Sequence, residues 1–525
     1  MSGLRWLSVK VQPSLSRLVV RYERTVVLCV AVAVVLLRSV AFVLFEANFD
    51  SDQAIIGLMA KHLSEGRVFP LFTYGQDYNL AVEAWMAAPL FWLVGPSVAL
   101  LKLPLVAINV GVALLLVVLF EKELKLRPAL GLVAAAFFIL APPGTAKYFV
   151  EASGVNIEPF LVVLLLWVTR HRPLVFGVIL ALGFLHREFV AYGLGALLVI
   201  EAADGTLFSW ATWRHKLATV VSFGAVWQVV QLVKPYSRAL GPGTSIEVYG
   251  AQAPFGALST GQTLNLANLL TFFCWDPAMA FANLGSLVTE NLGMLLGAAR
   301  TPLDHLIIES QRSQGAPGLW IVLGSTLLFA LVRIGWFVAK GHTPPWRGHL
   351  QFPTYLFLVG LQSGVVYLAA RCDAIGVLTM RYSLLVVFAA VGLTACYLKM
   401  ETSRRLQGGV LGVVVIWALV ATVGHARLLD EYVRHPPTNS RRALADHLVS
   451  ENIKFGYADF WDAYSTVFFS KEQVILGSTS VVFIQEYEWL GAAHPDDAVE
   501  IRNIPCNGGT NVVPGLYVCP PGEED

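Results

Sequence analysis

Apolar stretches of membrane length recur along this chain, and no other feature limits its fold as tightly. They lie near residues 25–45, 97–120, 129–145, 157–169, 173–185, 188–202, 217–235, 317–339, 351–370, 382–398 and 407–425. A helix crossing the hydrocarbon layer needs about 20 such residues, so the pattern reads as about eleven spans. The pair around 173–202 is short and reads as partly re-entrant. A backbone in hydrocarbon must satisfy its own hydrogen bonds, so the spanning elements are helices. Composition agrees: 56% of the 525 residues are hydrophobic and 14% are charged, with a mean hydropathy of +0.62. A soluble domain cannot hide that much apolar surface. Net charge is only +1 and no basic patch is interleaved with aromatics, so nucleic acid is not an expected partner.

Charge sets the orientation. The N-terminus is basic (Arg5, Lys10, Arg17, Arg21, Arg24) and no small-residue cleavage site follows the first apolar run, which reads as an uncleaved signal anchor. With residues 1–24 cytoplasmic, the internal loops are 121–127, 170–172, 201–216, 340–348 and 399–405, and each carries Lys or Arg. The external parts are then 46–96, 144–156, 236–316, 371–381 and 426–525, with the membrane domain covering 25–425. Segment 82–95 is too short to span and reads as an interfacial helix. The expected protein is therefore multi-pass, all-α within a bacterial inner membrane, with its C-terminal domain outside.

The tail changes character. Charges become frequent after residue 440 and long apolar runs stop. Helical spacing covers 440–452, with Ser440 as a cap, and 454–457 and 473–476 read as strands. A small external α/β domain is expected. Cys506 and Cys519 bracket an Asn507-Gly508-Gly509 turn and could form a disulfide outside the cell. Cys274 and Cys372 are also external and could form a second pair, the alternative being free thiols throughout. No cysteine or histidine spacing suits structural zinc.

Chemistry concentrates at the external boundary. Asn48-Phe49-Asp50-Ser51-Asp52-Gln53-Ala54 places carboxylates where the first span ends, an expensive address for a mere connector. Asp52 opens a helix over 52–64, and from spacing alone it reads first as an N-cap, a place Asp50 or Ser51 fills equally well. Its functional reading is a general base at the membrane surface. Glu158 opens a span in the second loop, where an acid also simply complements the helix dipole. Asp52 and Glu158 could together form a two-carboxylate site that either binds a divalent cation or orients an acceptor without metal. Asp50 and Glu151 are acids of the same loops. His186-Arg187-Glu188 interrupts some thirty apolar residues, and such charges default to a functional hypothesis. Arg381-Tyr382 opens a later span, where Arg either binds phosphate or snorkels. Tyr74 and Gln76 could position substrate, whereas Glu83 on the interfacial helix reads as solvated rather than catalytic. Arg38, inside the first span, could snorkel or pair with Glu46.

These residues resemble the polytopic glycosyltransferases of the C-type fold, the family of protein O-mannosyltransferases and the aminoarabinose transferase of lipid A. The match lies mainly in 48–105: Asp52-Gln53-Ala54, Gly57-Leu58-Met59-Ala60, Gly66-Arg67, Phe69-Pro70-Leu71-Phe72, Tyr74-Gly75-Gln76, Glu83-Ala84, Ala88-Pro89-Leu90 and Gly95-Pro96-Ser97. It extends to Ile157-Glu158-Pro159-Phe160, Arg187 and Arg381-Tyr382. The family's first loop carries an Asp-Glu pair, and here Gln53 replaces the second acid. The resemblance implies Asp52 as base, with inverting transfer of a sugar from a polyprenyl-phosphate donor at the outer face. An envelope glycan, lipid or protein hydroxyl would be the acceptor, and no cofactor is implied beyond a divalent cation. Two other readings stay open: a transporter or flippase of lipid-linked glycan, and a non-catalytic lipid-binding relative. Against transport, the chain shows no internal repeat, and its charges cluster at one edge rather than at mid-membrane.

Overall fold

The computed structural model describes residues 13–76, 79–154, 156–239, 277–297, 317–369 and 374–521. The chain is a helical membrane bundle with a small C-terminal sheet domain docked at one end. Among the described residues seven helices are long and apolar enough to cross a membrane: Tyr22–Leu44, Val98–Lys122, Thr212–Pro235, Trp320–Ala339, Gly348–Ala369, Thr379–Met400 and Arg404–Arg434.

The first eleven helices position the site. They are α1 (Pro13–Leu44), α2 (Ser51–Ser64), α3 (Val82–Val94), α4 (Val98–Lys122), α5 (Pro128–Ala134), α6 (Ala136–Ile139), α7 (Pro143–Phe149), α8 (Glu158–Thr169), α9 (Pro173–His186), α10 (Ala191–Ala203) and α11 (Trp210–Ala239). Proline stands in the first turn of α5, α7, α8 and α9, where its missing N–H is lost anyway and its fixed φ suits a helix start.

Four of the eleven expected spans, 129–145, 157–169, 173–185 and 188–202, are not among these seven long apolar helices. The span expected over 129–145 is broken into α5, α6 and α7. Pro142 and Pro143 supply no amide to the carbonyls of Phe138 and Ile139 four residues back, so the ladder stops. Arg38 fills part of the gap by donating to the Phe138 carbonyl and to Asn109 Oδ1. It neither snorkels nor pairs with Glu46, which is held by Arg442 at 2.7 Å. The pair around 173–202 forms two short helices, α9 and α10, joined by a 3₁₀ turn, Glu188–Val190.

The basic loops meet at one end of the bundle. Arg24 bonds Glu121 at 3.2 Å, Arg170 bonds Glu123 at 3.0 Å, and Arg347 bonds Asp204 at 2.9 Å. At the opposite end α2, which carries Asp52, packs against α3 and the start of α4.

The C-terminal domain begins with helix Ser440–Ser450, capped by Asn439 rather than Ser440, since Asn439 Oδ1 accepts from Arg441 N at 2.9 Å. Its sheet has the order β2-β1-β3-β5-β4. The strands are β1 (Phe455–Ala458), β2 (Ile475–Ser478), β3 (Val499–Arg502), β4 (Thr510–Val513) and β5 (Leu516–Cys519). β1 lies parallel to β2 and β3, while β5 runs antiparallel to β3 and β4. The last three strands carry no alternation strong enough to read from sequence. A disulfide joins Cys506 to Cys519. Cys274 and Cys372 lie outside the described residues, as does most of the loop 236–316.

This domain is docked on α2. Helix Phe460–Phe469 lies against it, with Ser51 Oγ donating to the Trp461 carbonyl at 3.0 Å and meeting Ser465 Oγ at 2.9 Å. Phe49 packs between Phe468 and Phe469, both ring centroids 5.1 Å away.

Candidate active site

The start of α2 divides two acids between two tasks. Asp50 is the N-cap, and its Oδ1 accepts from the Gln53 amide at 3.2 Å. Asp52 is therefore released from capping and lies in the first turn. Its Oδ2 accepts from Arg381 at 3.1 Å. Arg381 stands on a ten-residue 3₁₀ stretch, Val377–Val386, that leads into helix Val387–Met400. Such runs seldom exceed three or four residues, and a longer one marks a functional or strained segment.

Asp52 and Arg381 line a polar cavity of about 340 Å³. Arg187 enters it from the turn between α9 and α10, and Tyr382, Gln76, Thr73, Asn79 and Ser153 complete the membrane-side wall. The Arg381 guanidinium lies 5.3 Å from the centre of the Tyr382 ring and donates to its hydroxyl at 3.4 Å. The far wall comes from the C-terminal domain: Phe460, Trp461, Ser480, Val481 and Phe483. Gly75 has φ +68°, and a Cβ there would lie 2.6 Å from the Phe483 ring, so this turn admits glycine only.

Electrostatics favour a carboxylate that can take up a proton. Burial raises the Asp52 pKa above the usual carboxylate value, Asp50 adds to the rise, and Arg381 opposes it. Glu151 is buried close by. Burial first, and Asp50 next, push its carboxyl up to about 7 against the pull of Lys147 and Arg381.

Asp52 and Glu158 are not brought together as a pair. The acids electrostatically coupled to Asp52 are Asp50 and Glu151. Glu158 faces Glu83 instead: burial first, and the neighbouring Glu158 next, raise the Glu83 carboxyl well above the usual carboxylate value. Glu83 is thus buried rather than solvated. His186 belongs to this deeper cluster, with Nδ1 3.1 Å from the Leu80 carbonyl, and Nε2 has no protein partner. Tyr74 points away from the cavity, its hydroxyl 3.1 Å from His62 Nδ1.

Around Asp52 the side chains do not make a cation-binding set. Arg381 occupies Oδ2, and Gln53 turns its amide to the Asn48 carbonyl at 2.6 Å. Among the described residues no group of three or more His, Cys, Asp or Glu side chains could hold a metal ion.

Sequence reasoning missed Asn79, Ser153 and the aromatic wall. Asn79 has φ +68°, a conformation asparagine tolerates but the sequence does not announce. Asp459-Phe460-Trp461-Asp462 carried a signal: Asp459 caps a helix whose first residues are large aromatics, and Trp461 stays 49% exposed.

No protein-family model matches this chain, and no curated protein matches it. Its fold is similar to several solved structures. The oligosaccharyltransferase of Archaeoglobus fulgidus in the apo form aligns over 87% of this chain and 64% of its own, at 14% identity and a TM-score of 0.46. This chain thus spans less than two thirds of that protein's length. ArnT from Cupriavidus metallidurans in the apo state aligns over 96% of this chain and 98% of its own, at 13% identity and a TM-score of 0.42. The same ArnT bound to undecaprenyl phosphate aligns over 94% and 97%, at 14% identity and a TM-score of 0.38.

Proposed function

We propose that this chain is a membrane glycosyltransferase of the C-type fold, moving a sugar from a polyprenyl-phosphate donor to an acceptor hydroxyl with inversion. The observation that carries the reading is the part-buried Asp52–Arg381 pair inside a polar cavity, at the end of the bundle away from the basic loops. A donor anchored in the membrane by its polyprenyl chain presents its phosphate at such an end.

In this reading Asp52 accepts the proton of the acceptor hydroxyl as the oxygen attacks the anomeric carbon. The bond from that carbon to the phosphate oxygen breaks, and its electron pair leaves with the polyprenyl phosphate. Arg187 and Arg381 stabilise the phosphate charge, for which guanidinium offers paired donors. Gln76 and Tyr382 orient the donor, and Glu151 adjusts the local charge. Attack from the face opposite the phosphate gives inversion. No step is routed through a metal, because the residues around Asp52 do not form a set for one.

The test is transfer by purified protein in nanodiscs, with a panel of radiolabelled polyprenyl-phosphate sugars and envelope acceptors. Wild type should move label and Asp52→Asn should not, while both bind donor equally. Equal transfer by the two would remove Asp52 as base. Absence of donor binding by wild type would favour glycan transport.

A further inference from the structure

A larger recess, about 600 Å³, lies at the other end of the bundle between α9, α10 and α11. α8, α9 and α10 each run from the candidate active site to this end, and at 1.5 Å per residue their 12 to 14 residues separate the two by about 20 Å. The recess is therefore no extension of the Asp52 cavity. Its body is apolar, formed by Phe176 and Leu180 of α9, Leu194 and Leu197 of α10, and Val220 and Phe223 of α11.

Its mouth is lined by Arg170, His171, His215 and Lys216, together with Glu201 and Asp204. The two acids are already engaged. Lys216 holds Glu201 and Arg347 holds Asp204, both at 2.9 Å. Arg170 is held by Glu123 at 3.0 Å. That leaves His171 and His215, both exposed at the mouth. Beside them in the same loops stand Arg172 and Arg214. Both are exposed, and neither pairs with a carboxylate among the described residues. The recess is thus neutral in its own lining, while Arg172 and Arg214, adjacent in sequence to the lining residues His171 and His215, add positive charge at its rim, above an apolar slot that opens beside exposed residues such as Leu217 and Val221.

We propose that this recess binds an anionic phospholipid, one acyl chain in the slot and the phosphate at the basic rim. An acyl chain removes apolar wall from contact with disordered lipid, and a phosphate supplies the charge the loops lack. Basic pockets between membrane helices recognise anionic head groups in this way. A zwitterionic lipid brings its own cation to the mouth and gains less.

The experiment uses the full chain, delipidated in detergent, with phosphatidylglycerol and phosphatidylcholine of identical chains. Native mass spectrometry should show phosphatidylglycerol retained at collision energies that strip phosphatidylcholine. Phosphatidylglycerol with a photoactivatable acyl chain should label wild type within 176–200 and 216–223. Arg172→Gln combined with Arg214→Gln, both exposed and safe for folding, should lower the preference at least fivefold. Leu197→Trp should cut photolabelling by filling the slot. Equal retention of the two lipids, or label spread evenly over the bundle, would overturn the proposal. So would competition by inorganic phosphate as effective as that by phosphatidylglycerol, which would reduce the mouth to a lone anion site.

Discussion

Two acids separated by a single residue do different work because helix geometry sends their side chains to different partners. Asp50 closes the end of α2, and Asp52 turns into the cavity towards Arg381. Asparagine is as good a cap as aspartate, so Asp50→Asn should leave the helix intact while removing a negative neighbour. That neighbour raises the Asp52 pKa. Without it the base stays ionised to lower pH, and the acidic limb of the transfer profile should move down. Arg381→Gln removes the opposing charge, so the limb should move up, with weaker donor binding as well. pH–rate profiles of the two variants read the opposite signs directly. Asp52→Asn should lose roughly 10²- to 10⁴-fold in transfer, the usual contribution of a general base, with elution on size exclusion unchanged.

At the scale of elements, the decisive contact is that of α2 with the C-terminal domain. Glu472 lies just beyond helix Phe460–Phe469, with φ +64°. It accepts from Lys61, from His62 at 2.9 Å, from Arg67 at 3.0 Å and from Tyr487 at 2.9 Å. Burial alone would raise its pKa, but His62 and Lys61 overcome that and hold it well below the usual carboxylate value. The stability this contributes is whole above the unfolded value of about 4.3, and it disappears as pH falls through the depressed folded value. Glu472→Gln removes the carboxylate shared by Lys61, His62, Arg67 and Tyr487, while Lys61 keeps Glu65 at 2.7 Å and Arg67 keeps Glu486 at 3.5 Å, and should cost about 2 kcal/mol. Limited proteolysis should show earlier release of the C-terminal domain, and transfer should fall because Phe460, Trp461 and Phe483 no longer close the cavity. The Cys506–Cys519 bridge closes a short loop in the same domain. Cys506→Ser with Cys519→Ser should lower domain stability by about 3 kcal/mol, read as a shift in thermal unfolding without an altered pH profile.

For the molecule as a whole, the two ends of the bundle are chemically distinct. One gathers the basic loops and their ion pairs, and the other gathers the acids, the cavity and the sheet domain. From the positive-inside rule we propose that the first end faces the cytoplasm. Single cysteines test this in intact spheroplasts against the background of the unsubstituted protein. Asp496→Cys in the C-terminal domain should react with an impermeant maleimide at once, and Arg214→Cys only after permeabilisation.

Local pattern was enough to read the helical class, the places of the seven long apolar helices, a helix over 82–94 in the first loop, helix Ser440–Ser450 and the first two strands. Each depends on period, length or capping over about ten to thirty residues, which a sequence displays directly. The break at Leu140 was legible in principle from Pro142-Pro143, but hydropathy alone reads through it. The roles of individual acids were not legible. Asp50 and Asp52 are equivalent by spacing, and only Arg381, 329 positions away, separates them. Glu83 reads as solvated until Glu158 is packed against it. The cavity's far wall comes from residues some 400 positions beyond Asp52. Burial and charge pairing depend on which distant side chains meet, and that is decided by packing, which no local window contains.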